Sequence, residues 1–385
     1  MNSDLINLIK KTFIDKYKSQ PLLIFSPGRI NLIGEHTDYN DGYVFPAAID
    51  KGIVAAIAIT NSNLSTIYAL DKRETLQISL TNIRPYDHGS WQNYILGVIA
   101  ELQNMGKEMG NFNMVFGGDI PEGAGMSSSA ALENSMVFGL NELFNFRLTK
   151  NEMILVSQKA EHNYAGVKCG IMDQFASMFG VNNSALLLDC RRVTAKPFEI
   201  DFQDYELVFI NTNVKHSLSE SAYNDRRLVC ETISNLLKIR ALRDAQVYNL
   251  KSIKGQVSSE DYQKALYVIQ ENNRVISASK AIEENDLESL GKLMYASHEG
   301  LKNQYKVSCD ELDFLVEQAR KNPNILGARM MGGGFGGCTI NLILKSETPS
   351  FKAYITQAYK KEFNITCSIY SVNLFKGTHL IKYFS

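Results

Sequence analysis

A glycine-rich loop between a strand pattern and a helix pattern is the feature that most restricts the fold of this chain. Residues 113–116 are typical of a strand, four glycines lie within residues 117–125, and serines 127–129 open a long helical pattern. Glycine lets the backbone approach a ligand closely, and the free N–H groups of a helix start carry partial positive charge. We therefore expect a strand, loop and helix that together bind an anion.

Phosphate is the anion that this loop suits best. The loop lacks the lysine of a Walker A sequence, so positive charge must come from N–H groups, a metal ion and a distant arginine. The alternative is that Ser127 to Ser129 only cap a helix. Three consecutive serines before a helix of small residues favour the phosphate site.

Length and composition predict two lobes that share a cleft. The chain has 385 residues, of which 45% are hydrophobic and 21% charged, in the range of ordinary globular proteins. We place the division near residue 190, which gives lobes of residues 1–190 and 191–385. The formal net charge is -1, and no run of Lys and Arg is long enough for a nucleic-acid or membrane patch.

The cysteines and the first residues predict a cytosolic protein. Six cysteines occur without a CxxC pair, which is typical of reduced thiols. Residues 1–20 alternate apolar and charged side chains at helical spacing and so predict a surface helix, not a signal peptide. No apolar run reaches the roughly 18 residues of a membrane span.

Elsewhere, the pattern predicts sheet first and helices later. Residues 21–30 read as a strand that runs into a Pro-Gly turn, and residues 91–105 carry apolar side chains at helical spacing. Residues 151–165 are also helical by pattern, and helical periodicity dominates from about 221 to 322. The glycine run at 332–337 predicts either a second ligand loop or a tight turn into a strand.

An unusually polar stretch lies between two strand patterns near the N-terminus. Arg29, Glu35, His36 and Asp38 fall within ten residues of one another. Sugar hydroxyls need such a mixture of donors and acceptors. The alternative is a solvated loop around an Asn-Asp-Gly turn. Taken together, the four side chains favour a binding site.

Two acids and one tryptophan are further candidates. Asp173 lies among apolar neighbours, where a carboxylate is poorly solvated unless it is paired. Glu161 lies on the polar side of a helix and could reach a bound cation, although a plain surface position is the alternative. Trp91 could stack on an adenine ring, although a lone aromatic at helical spacing is more often part of a core.

Six segments in the right order resemble the galactokinase family, which belongs to the superfamily of homoserine, mevalonate and phosphomevalonate kinases. They are residues 27–46, 118–133, 160–177, 211–227, 297–313 and 327–342. The resemblance implies an α+β, two-lobed GHMP-kinase-like fold. A mixed sheet with helices would form the N-terminal lobe, a helix-rich lobe with an antiparallel sheet would follow, and the active site would lie between them.

The resemblance also implies a role for individual residues. Asp173 would face the C1 hydroxyl of the sugar, with Arg29 beside it, favouring the ionised carboxylate. The sugar would be held by Glu35, His36, Asp38, Gly170 and Tyr223. The ATP phosphates would be wrapped by Gly123, Ala124, Gly125, Met126, Ser127 and Ser128. Ser129 and Glu161 would approach magnesium.

The activity that the resemblance implies is transfer of the γ-phosphoryl group of MgATP to the anomeric hydroxyl of galactose, the first step of galactose catabolism, by a cytoplasmic monomer. Met126 replaces a usual leucine and Gly333 an alanine that is often present, which predicts local tuning of the nucleotide loop. An N-acetylgalactosamine kinase remains an alternative. So does a galactose sensor without catalysis, although such sensors lack residues of the serine-alanine run that is intact here.

Overall fold

The computed structural model describes residues 1–87, 91–121, 123–215 and 219–382. In chain order the elements are α1 (Ser3–Tyr17), β1 (Leu22–Asn31), β2 (Tyr43–Val44), β3 (Pro46–Ile59), β4 (Ser65–Ala69), β5 (Glu74–Ile78), α2 (Trp91–Asn104), β6 (Phe112–Gly118), α3 (Ser128–Phe144), α4 (Lys150–Ala160), α5 (Met172–Phe179), β7 (Ser184–Asp189), β8 (Thr194–Glu199), β9 (Tyr205–Lys215), α6 (Ser219–Leu236), α7 (Val247–Ser252), α8 (Ser259–Glu283), α9 (Leu287–Gly300), α10 (Asp310–Arg320), β10 (Ile325–Met330), β11 (Gly336–Leu344), α11 (Thr348–Phe363), β12 (Ser368–Ser371) and β13 (His379–Leu380). Short 3₁₀ turns cover Asp38–Asn40, Leu242–Asp244 and Lys345–Glu347, and π-turns cover Glu161–Ala165 and Leu301–Tyr305.

The first sheet is mixed and has helices on both faces. Its strand order is β13-β1-β3-β6-β4-β5, and only β4 and β6 pair in parallel. Side chains alternate between the two faces of a strand, so Leu23 and Phe25 of β1 pack against α1 while Ile24 faces the cluster built by α2 to α5. The sheet is therefore covered on both sides, and β1 is buried along nearly its whole length.

The second sheet is antiparallel and belongs to the later half of the chain. Its order is β10-β11-β9-β12, and its apolar face packs on α10 and α11. A small third sheet has the order β2-β7-β8. Its strand β2 follows the polar stretch at 29–38, and α8 packs near β2. The mixed sheet, the helix-rich part and the antiparallel sheet agree with the predicted α+β fold class.

Most of the predicted elements are confirmed, with exceptions. The Pro-Gly turn predicted after the first strand is wrong, because β1 continues through Pro27 and Gly28 to Asn31, with a register shift between Pro27 and Arg29. The helix predicted over 151–165 ends as an α-helix at Ala160 and continues as a π-turn over Glu161–Ala165. Strand β13 returns from the end of the chain to pair with β1, which the sequence pattern did not predict. Strands β7 and β8 pair on either side of residue 190, and the lobe division near that residue stays a prediction. Among the described residues, no helix is both long and apolar enough to cross a membrane.

A close contact between two glycines joins α9 to β10. A Cβ atom added to Gly327 would lie 2.5 Å from the Cα atom of Gly291, which is closer than real Cβ contacts. We predict that Gly327→Ala lowers the free energy of unfolding by about 1–3 kcal/mol, because the helix must move away from the strand. Urea unfolding measures it, with Gly255→Ala as the control, since a Cβ there meets nothing within 4 Å. Equal stability of the two variants would contradict the prediction.

Candidate active site

Segments that are far apart in the sequence meet at one cavity. Strand β1, the loop after it, the start of α5 and helix α6 contribute side chains to a cavity of about 120 Å³. The predicted site residues that line it are Arg29, Glu35, His36, Asp38, Glu161, Asp173 and Tyr223. A cleft of about 590 Å³ lies next to it, lined by Gly123, Gly125 and the glycine run at 333–337. Gly333 lines both, so the two spaces share a wall.

Arg29 and Asp173 form a bidentate ion pair at the centre of the site. The Nε atom of Arg29 lies 2.8 Å from Oδ1 of Asp173, and its Nη2 atom lies 2.9 Å from Oδ2. Ser127 donates its hydroxyl to Oδ2 of the same carboxylate, and Nη1 of Arg29 donates to the Gly125 carbonyl. The glycine-rich loop is thus bonded to both members of the pair.

The Arg29 guanidinium is buried and charged. Burial lowers its pKa, but the negative charges of Asp173 and Glu35 outweigh burial and raise the pKa above the ordinary value. A planar guanidinium matches the two oxygens of a carboxylate, which makes such pairs short and directional. The pair therefore fixes both the position of the Asp173 oxygens and the charge beside them.

Glu35 is held by Arg329, a residue that the sequence reasoning missed. Nη2 of Arg329 lies 2.6 Å from Oε1 of Glu35, and both side chains are almost completely buried. The Gly332 amide donates to the same oxygen at 2.8 Å. Nη1 of Arg329 also donates to Oε1 of Glu35 at 3.2 Å, and its other hydrogen bonds go to the backbone carbonyls of Asn31, Leu32 and Met330. An arginine one residue before the end of a buried strand, next to a glycine run, was the available signal.

His36 is neutral and links the polar loop after β1 to the glycine run at 332–337. Burial lowers its pKa to about 3. Its Nε2 atom lies 3.2 Å from the Gly333 carbonyl oxygen, which can only accept, so this nitrogen carries the proton. Nδ1 then accepts from the Tyr39 hydroxyl at 2.8 Å, and that hydroxyl lies 2.7 Å from the hydroxyl of Tyr305. His36 is therefore fixed in one tautomer.

Asp38 has an oxygen that is available for a ligand. Its Oδ1 atom is buried without a hydrogen-bond partner, and burial, followed by the charge of Asp173, raises its pKa to about 7. A Cβ atom on Gly170 would lie 2.0 Å from Oδ2 of Asp38, so only glycine leaves room for this carboxylate. Tyr223 closes the cavity, with its ring centroid 5.3 Å from that of His36.

The loop before α3 lines the cleft with Gly123 and Gly125. Ser127 precedes α3 with a φ of 58°, and its side chain makes no cap hydrogen bond because it bonds to Asp173 instead. The capping alternative therefore does not describe Ser127. The amide of Arg29 donates to the carbonyl of Met126 at 3.0 Å, which ties the loop to β1. Ala124 and Met126 are buried, and Ser128 begins the helix.

The later glycine run is both a loop and the turn into a strand. Residues 331–335 face the loop before α3, and β11 begins at Gly336. A Cβ atom on Gly333 would lie 3.4 Å from the Tyr223 ring, which is an ordinary contact. Alanine would therefore fit at this position, and glycine in its place removes only one methyl group from this contact.

Ser129 and Glu161 could hold a divalent cation. Glu161 is buried, so the alternative that it is a plain surface residue does not hold. Oγ of Ser129 lies 3.4 Å from Oε1 of Glu161. Burial, then the charge of Asp173, raises the pKa of Glu161 to about 7. One hydroxyl and one carboxylate fit a hard cation such as Mg²⁺. No cluster of three His, Cys, Asp or Glu side chains with metal-binding geometry occurs within residues 1–87, 91–121, 123–215 and 219–382.

Trp91 lies at the start of α2, largely buried in the core of the first sheet. Its Nε1–H donates to Glu74 at 2.8 Å, and its ring packs edge-on against Phe116 with 5.3 Å between centroids. It does not line the glycine-rich cleft. Stacking of adenine on Trp91 stays a prediction.

The sequence matches known families along most of its length. Residues 11–59 match the galactokinase galactose-binding signature, residues 93–181 the GHMP kinase N-terminal domain and residues 278–361 the GHMP kinase C-terminal domain. A galactokinase of Clostridium beijerinckii is 39% identical over 98% of this chain and 99% of its own. A galactokinase of Thermotoga petrophila is 37% identical over 92% and 99%. The chain belongs to the galactokinase family.

Solved structures agree with the family. The crystal structure of Lactococcus lactis galactokinase complexed with galactose is 34% identical and superimposes with a TM-score of 0.93, covering 97% of this chain and 99% of that one. The mevalonate kinase of Methanococcus jannaschii, at 19% identity and a TM-score of 0.65, shares the fold. Galactokinases are ATP-dependent kinases that normally need a divalent metal, and the pair Ser129 and Glu161 could meet that requirement here.

The contact between Gly170 and Asp38 can be tested by adding one methyl group. We predict that Gly170→Ala raises the KM for the sugar at least about tenfold, because the methyl group displaces the Asp38 carboxylate, which would cost more than about 1.4 kcal/mol. The KM for ATP should stay within about twofold. Steady-state kinetics measure both constants. Gly110→Ala is the control, since a Cβ there makes only an ordinary contact; an unchanged sugar KM in Gly170→Ala would refute the claim.

The raised pKa of Asp38 predicts how the stability of the ligand-free protein depends on pH. The pKa is 3.8 ordinarily and about 7 in the fold, so the folded state binds more protons between these values. Stability is therefore present at low pH and lost as pH rises toward 7, by up to about 1.4 kcal/mol per pH unit. In urea unfolding at pH 5 to 8, the free energy of unfolding should fall less steeply with pH for Asp38→Asn than for the wild type. Equal slopes for wild type and variant would contradict the assignment.

Proposed function

We propose that this chain transfers the γ-phosphoryl group of ATP to the anomeric C1 hydroxyl of α-D-galactose, giving galactose 1-phosphate and ADP. The observation that carries the proposal is the Arg29–Asp173 pair, which lines the cavity and is bonded through Ser127 to the loop of the adjoining cleft. A sugar in the cavity and a nucleotide in the cleft would meet at this pair. The galactose-bound Lactococcus lactis structure supports galactose as the occupant.

The cavity offers both kinds of hydrogen-bonding groups to a sugar. Asp38 has a buried oxygen without a partner, and Glu35 forms an ion pair with the fully buried Arg329. Each carboxylate can accept from vicinal hydroxyls, and the Tyr223 hydroxyl can donate or accept. His36 donates to Gly333, so we assign it the positioning of the loop as much as direct contact with galactose.

The cleft would hold the nucleotide phosphates against backbone amides. The amides at the start of α3 and the residues from Gly123 to Ser128 would wrap the phosphates. Ser129 and Glu161 would hold Mg²⁺ with the ATP, and the cation would neutralise part of the phosphate charge. Arg29 adds positive charge on the sugar side.

The reaction then needs one proton transfer and one phosphoryl transfer. Asp173 accepts the proton of the C1 hydroxyl, the C1 oxygen bonds to the γ-phosphorus, and the bond from that phosphorus to the ADP oxygen breaks. Holding the two substrates in line supplies most of the acceleration, and a general base contributes typically ~10²–10⁴-fold. Arg29 keeps the carboxylate aimed at the hydroxyl through its two hydrogen bonds.

The cellular setting follows from the same proposal. All six cysteines are free thiols, which supports the predicted cytoplasmic location. The reaction would be the first step of galactose breakdown, and we propose that the enzyme acts as a monomer. Size-exclusion chromatography with light scattering would test the monomer.

Replacing the proposed base tests the mechanism. Asp173→Asn keeps the size of the side chain but removes its basicity, so we predict a loss of kcat of at least ~10²–10⁴-fold. Galactose and ATP binding should remain measurable by calorimetry. Near-wild-type turnover would remove Asp173 from the mechanism.

The choice of sugar is tested by comparing two substrates. We expect ADP release with galactose to exceed that with N-acetylgalactosamine in kcat/KM, and a preference for the acetylated sugar would overturn the choice of substrate. Absence of ADP release with either sugar would instead favour a sensor that binds without catalysis.

A further inference from the structure

A buried glutamine lies between two carboxylates beneath the proposed cation site. Gln174 of α5 is fully buried, and its Nε2 atom lies 2.7 Å from Oε2 of Glu161 and 3.2 Å from Oε2 of Glu133. Carboxylate oxygens accept hydrogen bonds, so the amide nitrogen must face them. No step of the mechanism above uses Gln174 or Glu133.

Other helices hold the backbone of Gln174 in place. Its carbonyl oxygen accepts from Nδ2 of Asn134 in α3 at 2.9 Å. Oδ1 of Asn134 in turn accepts from the hydroxyl of Ser157 in α4 at 2.9 Å. The glutamine is therefore fixed relative to two other helices, α3 and α4, and α3 carries Ser129.

The amide leaves one oxygen of Glu161 for a ligand. Oε2 of Glu161 accepts from Gln174 and lies 3.3 Å from Sγ of Cys169. Oε1 points the other way and lies 3.4 Å from Oγ of Ser129. A carboxylate with one oxygen fixed by a donor presents the other oxygen in a defined direction, as is common around metal ligands.

The network is not arranged for stability alone. Oε1 of Glu133 and Oε1 of Gln174 are both buried without a hydrogen-bond partner. Such unpaired buried acceptors cost free energy, and a functional role is one reason for which proteins retain them. Gln174 thus fixes Glu161 through its amide nitrogen, while its own amide oxygen stays without a hydrogen bond.

We propose that Gln174 is a positioning residue whose amide orients Glu161, so that Oε1 of Glu161 and Oγ of Ser129 together receive the divalent cation of the bound nucleotide. This inference rests on the proposed function, because it assigns the cation to ATP. It also extends that function, since it makes the cation affinity depend on a residue that does not touch the cation.

Calorimetry of ADP binding with and without Mg²⁺, at saturating galactose, tests the proposal in Gln174→Met. The methionine keeps the length of the side chain and removes the donor. We expect metal-free ADP and galactose to bind within about twofold of wild type, while the strengthening of ADP binding by Mg²⁺ falls about 10–100-fold. Turnover should recover at high Mg²⁺, which a merely structural defect would not allow.

Gln318→Met is the matched control. Gln318 of α10 is also a buried glutamine, and its oxygen accepts from the Tyr354 hydroxyl far along the chain from this site. This variant should leave the Mg²⁺ effect unchanged. If Gln174→Met keeps the wild-type Mg²⁺ effect, or weakens ADP equally with and without Mg²⁺, the proposal is wrong.

A second measurement uses the wild-type protein, in case Gln174→Met does not fold. In a crystal structure with galactose and MgADP, Nε2 of Gln174 should still bond to Oε2 of Glu161, with Oε1 directed at the cation. A glutamine amide turned away from Glu161 would overturn the inference. Wild-type protein that phosphorylates no sugar would instead refute the proposed function, so the two failures are distinguishable.

Discussion

The site depends on the ion pair between Arg29 and Asp173. Burying a guanidinium costs several kcal/mol unless its hydrogen bonds are satisfied, and Arg29 satisfies them through both oxygens of Asp173 and the Gly125 carbonyl. Because Ser127 also bonds to Asp173, strand β1, the loop before α3 and the start of α5 must come together for the pair to form. One interaction thus joins the first sheet, the anion loop and the proposed base.

A second set of contacts joins the proposed sugar cavity to the proposed nucleotide cleft. Glu35 accepts from Arg329 and from the Gly332 amide, and His36 donates to the Gly333 carbonyl. The glycine run is therefore bonded directly to the loop that follows β1. Since the run lines both spaces, a ligand that shifts it on one side would change the wall of the other.

The anion loop and the polar stretch of the site could be predicted from sequence, because each is formed by residues that are close together in the chain. The strand, glycine loop and serine helix stand side by side in the chain, and the polar stretch at 29–38 is continuous. Arg329 and Gln174 were missed as contributors, because their importance comes from partners that lie 294 and 13 positions away. The glycine run next to Arg329 marks its position, but no local pattern shows that its partner is Glu35. The π-turn at Glu161–Ala165 was not predicted either, because residues 151–165 have the pattern of a continuous α-helix.

The central claim is that the Asp173 carboxylate meets the reacting hydroxyl of the sugar, opposite a nucleotide held by backbone amides. A crystal structure with galactose and a non-hydrolysable ATP analogue tests it most directly. The account predicts the C1 oxygen roughly 2.6–3.2 Å from a carboxylate oxygen of Asp173 and in line with the γ-phosphorus. A C1 oxygen directed at a different carboxylate, or a triphosphate bound away from the loop at 123–128, would contradict it.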